Sequence, residues 1–395
     1  SSRLTGAPKD VYEALSTADA KFPALTLSTG VSVECTYSNY RRILATSRVA
    51  ADRRAVFNAH YDVFGANRNT YASIYNGVLH RDWFQARARG YASTLDAPVR
   101  YLERVRSYYQ ALGYGAPYEW AHYAEVPFAP LTRPLSQCRV AVVTTAAPYR
   151  PDAGEQGPHA PYNAKAKFFR VYSGDSATDP DLRISHVAID RDHTQGDDLG
   201  GYFPLAALRE AAARGEIGAL APRFHGMPTQ RSHRTTLQVD APEIVARCRA
   251  DAVDAALLVP NCPVCHQSLS LAARALEQQG IATVVMGNAK DIVEWVGVPR
   301  LLFSDFPLGN GAGRPHDADS QRATLALALR LLESAPAART TVQSPQRWSD
   351  DARWKLDYCN AERLSADELQ RRRASFDAAK DDARQARQPG AGGAG

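Results

Sequence analysis

The sequence predicts an α/β protein: a doubly wound, mostly parallel β-sheet preceded by an α-helical segment. Three observations carry this expectation. Short β-branched runs recur through the middle of the chain, helix-length patterns alternate with them, and the stretch before residue 98 shows helical spacing. A length of 395 residues exceeds what one hydrophobic core usually organises, so two or three units are expected. With 45% hydrophobic and 23% charged residues, and only 26 Gly and 24 Pro, the chain is neither collagenous nor wholly disordered.

From about Asp10 to Ala97 the apolar residues follow a helical period. Val56, Phe57, Tyr61 and Phe64 recur at three and four residues, and Trp83, Phe84 and Ala88 do likewise, which predicts a helical bundle. Buried strands are predicted at Arg139–Thr145, Ile184–Ile189, Ala255–Val259, Ile281–Val285 and Arg300–Phe303. Helical patterns lie between them at Leu205–Arg214, Pro242–Arg249, Ser268–Gln279 and Ala289–Val296. Such alternation implies βαβ units of the Rossmann-like or flavodoxin-like kind, with ligands outside the carboxyl ends of the strands. After about Ala335 a Pro- and Ser-containing connector is expected. A charged, solvated helix follows from Ser365 to Arg387, opened by the capping box Ser365-Ala-Asp-Glu368, and then a flexible Gly-rich tail. The expected organisation is a helical segment at 1–98, an α/β region at 99–340 and a C-terminal part at 341–395.

Several function classes drop out on charge and motif. The net charge is +5, but 47 Lys and Arg are interleaved with 42 Asp and Glu, so no nucleic-acid footprint is present. The apolar runs fall short of the ~20 residues that cross a bilayer, and no basic-then-apolar segment opens the chain, so a cytoplasmic protein is expected. Gly-x-x-x-x-Gly-Lys, Gly-x-Ser-x-Gly and His-Glu-x-x-His are absent. None of the ten histidines is followed two places later by Glu, which excludes the zinc deaminases. The compact Gly309-Asn-Gly-Ala-Gly313 run precedes Pro315 rather than a helix start and reads as a sharp loop at the edge of an active site.

The six cysteines do not resemble a disulfide scaffold, but two of them form Cys262-Pro-Val-Cys265. The flanking residues predict a strand, a two-residue turn, and a helix with Cys262 at or next to its N-cap and Pro263 suited to its first position. A thiol there meets unpaired backbone N–H groups and the positive end of the helix dipole, which favours thiolate. Cys262 is thus the candidate nucleophile and Cys265, one turn on, the resolving thiol. His266 and His186 are candidate proton donors, and Asp190 belongs to a polar cluster with Asp192 and His193 that can supply a general acid. Asn261, Asp305 and Asn310 are candidates for binding substrate. No metal is expected. Zinc is the alternative use of the two cysteines, although a second pair of comparable spacing is missing.

These residues, together with their order over about Tyr101 to Ala335, resemble the selenoprotein-B-type subunit of the glycine, sarcosine, betaine and D-proline reductases. The pieces are Pro134-Leu-Ser-Gln-Cys-Arg-Val-Ala-Val-Val-Thr-Thr145, Ile184-Ser-His186 with Asp190, and Phe203-Pro-Leu-Ala-Ala-Leu-Arg-Glu210. Gly215-Glu-Ile-Gly-Ala-Leu-Ala-Pro222, the Cys262-x-x-Cys265 turn and Phe306-Pro-Leu-Gly-Asn310 follow in order. In that family the first residue of the turn is commonly selenocysteine, and here Cys262 stands in its place. The resemblance implies that Cys262 attacks an activated C–N or related bond of a small amino-acid-like substrate and that Cys265 resolves the product. It also implies a thioredoxin-like electron donor, an oligomeric assembly and a partner subunit carrying a pyruvoyl group; no cofactor is expected within the chain itself.

The N-terminal segment resembles the helical region of oligoendopeptidase-F-type metallopeptidases. The matching pieces are Thr26-Leu-Ser-Thr-Gly-Val-Ser-Val-Glu-Cys-Thr36, Arg53-Arg-Ala-Val-Phe57, Asn69-Thr-Tyr-Ala72, Asn76-Gly-Val-Leu79 and Asp82-Trp-Phe84 through Ala88-Arg-Gly-Tyr91. Without His-Glu-x-x-His, peptidase activity does not follow, and a lid or docking role is expected. Two rivals stand beside the reductase reading. One is a cofactor-independent cysteine racemase or lyase on a similar frame, which would need no reductant; the other is a non-catalytic zinc-binding or scaffold protein.

Overall fold

The computed structural model describes residues 11–16, 20–88, 97–116, 118–156, 160, 163–184, 186, 188–229 and 232–387. The chain forms two compact units, Ser1–Ala97 and Pro98–Gly395. The first unit opens with an antiparallel hairpin that the helical spacing did not predict, β1 (Ala24–Thr26) and β2 (Ser32–Glu34), paired Leu25 to Val33. Three helices follow: α1 (Tyr37–Thr46), α2 (Ala50–Ala66) and α3 (Arg68–Ala88). Thr36 caps α1 by accepting from the Asn39 N–H. Val33, Cys35, Ile43 and Val56 form the small core, and the His60 ring lies between Tyr40 and Phe22 with its Nδ1 2.9 Å from the Cys35 carbonyl. Of the expected helical stripe, Val56 is buried whereas Phe57 and Tyr61 are exposed. The side chains of Trp83, Phe84 and Ala88, and Arg89-Gly-Tyr91, lie outside the described residues.

The second unit is built on one twisted sheet. Its strands are β3 (Arg139–Thr144), β5 (Tyr172–Asp175), β7 (Ala219–Leu220), β8 (Arg223–Gly226), β9 (Ala255–Val259), β10 (Ala282–Gly287), β11 (Arg300–Phe303) and β12 (Thr340–Gln343), while β4 (Ala147–Pro148) and β6 (Leu182–Arg183) form a separate two-stranded ribbon. The spatial order is β12-β11-β10-β9-β3-β8-β5, with β7 also beside β3; every pair is parallel except β5 with β8. From β3 the chain moves to β8 on one side, then returns to lay β9 on the other and continues outward. The winding therefore reverses between β3 and β9, and the crevice outside their carboxyl ends is where such sheets bind ligands.

Alternation along each strand feeds two apolar layers. Val140 and Val142 of β3, with Leu257 and Val259 of β9, pack under α5 (Leu205–Ala213) and α9 (Ala318–Ser334). Ala141, Val143, Ala256 and Leu258 pack under α6 (Ala241–Ala250), α7 (Pro263–Glu277) and Val293 of α8 (Lys290–Val296). All five residues of β9 are buried, as expected of a central parallel strand.

The structure corrects three expectations. The described residues of Ile184–Ile189 are not a sheet strand; the His186 N–H turns back to the Ile184 carbonyl at 2.6 Å, which ends extended pairing after β6. The presumed connector after Ala335 contains β12, whose residues pair with Arg300 to Phe303. The charged C-terminal helix, here α10 (Ala366–Arg387), begins where the capping box places it, with Ser365 Oγ accepting from the Glu368 N–H. It is not solvated all round. Phe376 packs on Tyr109 and Tyr114, the Arg373 guanidinium covers the Tyr114 ring, and the same side chain reaches the Leu112 carbonyl at the end of α4 (Tyr101–Ala111). Among the described residues no helix is long and apolar enough to cross a membrane.

Candidate functional site

At the point where the winding reverses, β9 ends in Pro260-Asn261 and α7 begins. Cys262 is the N-cap of α7, extended at φ −135°, and its sulfur accepts from the Cys265 N–H at 3.2 Å, with Pro263 in the first turn. One helical turn brings the two Cα atoms to 4.9 Å and the two sulfurs are bonded to each other. Cys262 keeps 5% exposure while Cys265 is fully buried, so a group arriving from outside meets Cys262 first. The four remaining cysteines are free: Cys35, Cys138 and Cys248 are buried, and burial pushes the Cys248 thiol up to about 12.

Of the residues expected at the site, His186 is brought to the two sulfurs. One of its ring nitrogens and both cysteine sulfurs lie within 4.8 Å of one another. Its Nε2 donates to the Thr145 carbonyl at 2.9 Å, and burial lowers its pKa to about 4, so the ring is neutral at pH 7 with its unprotonated lone pair on Nδ1. Thr145 stands at the end of β3 and also fixes Asn261: its Oγ1 accepts from the Asn261 backbone N–H and from Nδ2, both at 3.2 Å. Asn261 Oδ1 is buried with no hydrogen-bond partner among the described residues.

His266 is present at the site but not as a proton donor. Its Nδ1 lies 2.8 Å from the Cys262 carbonyl, and its Nε2 accepts from the backbone N–H groups of Asn288 (2.9 Å) and Ala289 (3.1 Å). Two donors into Nε2 place the ring proton on Nδ1, and burial lowers the pKa to about 4. Both nitrogens are therefore committed to backbone, and His266 holds the start of α7 against the loop after β10.

Asp190, Asp305 and Asn310 have their partners elsewhere. Asp190 is buried and takes the His193 N–H on Oδ1, while Oδ2 has no partner among the described residues; desolvation raises its pKa to about 6, against the lowering influence of His193. Asp305 follows β11 and pairs with Lys355. Asn310 donates through Nδ2 to Thr194 Oγ1 (2.7 Å) and to the Pro307 carbonyl (3.1 Å), which ties its loop to the segment that carries Thr194.

Three further groups went unmarked in the sequence reading. Thr229 Oγ1 is 3.2 Å from Cys265 Sγ, and the Oδ1 of Asn288 and the Oγ of Ser304 are buried without partners among the described residues. Asn261, Asn288 and Ser304 follow three adjacent strands, β9, β10 and β11, so unpartnered polar atoms line successive strand ends. Such atoms are ones that a polar ligand or ordered water satisfies. A polar residue one or two places after each buried strand is the signal that would have marked Asn288 and Ser304. Thr229 follows β8, whose Arg-Phe-His-Gly sequence carries no apolar run.

No family model matches this chain, and no solved structure matches it. Among curated proteins, the D-proline reductase subunit gamma of Acetoanaerobium sticklandii is 30% identical over 223 residues, which cover 56% of this chain and 89% of that subunit. The oligopeptidase PepF of Bacillus subtilis is 28% identical over 98 residues, in keeping with the peptidase-like segment; this is 25% of this chain and only 14% of PepF. Coverage of nearly the whole gamma subunit at this identity places the chain in the family of the D-proline reductase gamma subunit.

Proposed function

We propose that this chain is the thiol-bearing subunit of a reductase that opens a carbon–nitrogen bond of a small amino acid of the D-proline class. The observation that carries the reading is the Cys262–Cys265 pair, set at a helix N-terminus at the sheet's reversal point with His186 beside it. In the reduced state the Cys262 thiolate attacks the carbon bearing nitrogen; the C–N pair leaves with nitrogen, which takes a proton. Cys265 then attacks the Cys262 sulfur, the C–S pair returns to carbon, and that carbon is protonated. The products are the ring-opened amine and the Cys262–Cys265 disulfide, so two thiols supply the two electrons and an external dithiol of the thioredoxin type restores them. The differing exposure of the two cysteines fits these roles, and Thr229 Oγ1 stands by Cys265 to exchange a proton with it.

A pyruvoyl group on a partner subunit would supply electron withdrawal from the substrate nitrogen. The work of this chain is to present the thiolate, exclude water and orient the substrate by the Oδ1 acceptors of Asn261 and Asn288, which have no partner among the described residues. The test is the pH dependence of Cys262 alkylation on reduced protein, read by mass spectrometry, with Cys265→Ser for comparison. The reading expects saturation below about pH 8 and D-proline-dependent re-formation of the disulfide when the partner subunit is added. A rate still climbing above the ordinary thiol pKa of about 8.5 would sink the nucleophile assignment.

A further inference from the structure

We infer that the dithiol form of this site also binds a soft divalent cation such as zinc, through Cys262 Sγ, Cys265 Sγ and His186 Nδ1, and that the disulfide excludes it. In the disulfide form a ring nitrogen of His186 and the two sulfurs lie within 4.8 Å of one another. Once the S–S bond is reduced the thiols swing to the separations a tetrahedral ion sets, roughly 3.5 Å for S···N and roughly 3.8 Å for S···S at Zn–S and Zn–N lengths of about 2.3 and 2.0 Å. The ring of His186 is prepared for this: its Nε2–H is committed to the Thr145 carbonyl, which fixes the tautomer and leaves Nδ1 as the donor, the arrangement that usually supports a ligating histidine. The two thiols lose their protons on binding and no electron is transferred. Three protein ligands leave one tetrahedral position open, to water or to the neighbouring Asn261 Oδ1, which is buried and has no partner among the described residues.

Metal and disulfide compete for the same two sulfurs. Zinc therefore protects the pair from oxidation and blocks Cys262 as a nucleophile, making the ion an inhibitor displaced by chelators. The inference rests on the positions of the three side chains and not on turnover, so the alkylation and substrate tests above, run in chelator, can fail independently of it.

The experiment titrates the whole 395-residue chain, reduced and metal-free, with Co²⁺ and reads the near-ultraviolet thiolate-to-cobalt absorption, followed by displacement with Zn²⁺. One equivalent should bind, with intensity for two thiolates, and oxidation to the disulfide should abolish the signal. His186→Ala should weaken binding at least tenfold while His186→Cys restores it with a third thiolate band; circular dichroism on each variant separates ligand loss from unfolding. Absence of stoichiometric binding, binding undiminished by oxidation, or full affinity in a folded His186→Ala protein would each overturn the assignment.

Discussion

The ring of His266 ties Cys262 to the loop after β10: Nδ1 reaches the Cys262 carbonyl at 2.8 Å, and Nε2 takes the N–H groups of Asn288 and Ala289. Helix α7 thus starts at a fixed height above the sheet, and the sulfur of Cys262 with it. Because the ring is neutral and fully buried, it stiffens the turn without carrying charge into it.

His266→Leu keeps most of the volume but leaves the N–H groups of Asn288 and Ala289 unpaired in the interior, while the Cys262 carbonyl keeps only the backbone N–H of residue 266. A loss of about 3 kcal/mol is expected, seen as a clear drop in the thermal midpoint. Alkylation of Cys262 in the same variant should lose its low-pH saturation, because the thiol no longer sits squarely on the helix N-terminus. An unchanged midpoint would show that the ring is not holding the loop.

Thr145→Val is nearly isosteric and removes the hydroxyl that accepts from Asn261 twice. The expected cost to stability is about 1–2 kcal/mol. Substrate turnover should fall about tenfold, through kcat more than KM, as the turn before Cys262 loosens. Thr145→Ser should restore both. Rescue by Ser separates hydrogen bonding from packing.

Glu277 and Arg300 form an ion pair, 2.8 Å, at 0% and 1% exposure. Glu277 also takes the N–H of Ala129 and both the N–H and hydroxyl of Thr283, while Arg300 donates to the Ala129 carbonyl and lies over the Phe128 ring. Arg300→Met leaves a buried carboxylate and should cost about 3–5 kcal/mol in urea unfolding. The double variant Glu277→Leu, Arg300→Met should lose less than the sum of the singles. Additive losses would show that the two groups do not act as a pair.

Asp240 is buried, its Oδ2 has no partner among the described residues, and desolvation raises its pKa from 3.8 to about 6. The unfolded chain releases this proton near 3.8 and the folded chain only near 6, so its contribution to stability falls as pH rises between those values. Asp240→Asn should therefore stabilise the protein by about 1–2 kcal/mol at pH 7 and by little near pH 4. Denaturant unfolding at both pH values checks it; equal gains at the two would show that the carboxyl does not titrate in this range.

Much of the α/β frame was legible because its signal is local. The runs Arg139–Thr145, Ala255–Val259 and Arg300–Phe303 are continuous and apolar because both of their faces are covered, and each is a strand. The shorter strands β8 and β12 were missed, since Arg-Phe-His-Gly and Thr-Thr-Val-Gln carry too few apolar residues to stand out; pairing to neighbours makes them strands. Ile184–Ile189 failed in the opposite sense. Its composition suits a strand, but no neighbour pairs with its described residues, and its backbone turns at His186.

At the site the division is the same. The sequence by itself determined the strand, the two-residue turn, and Cys262 at or next to the N-cap with Cys265 one turn on, because capping and helical periodicity act within a few residues; the structure makes Cys262 the N-cap itself. Only the tertiary structure decided what surrounds the pair. Thr145 meets Asn261 across 116 positions and His186 across 41, and Thr229 meets Cys265 across 36. Which histidine faces the sulfurs, and which is spent on backbone, depends on how β3, β9 and β10 lie side by side. That adjacency comes from burying both faces of the whole sheet at once, a cooperative choice that no single stretch of the chain encodes.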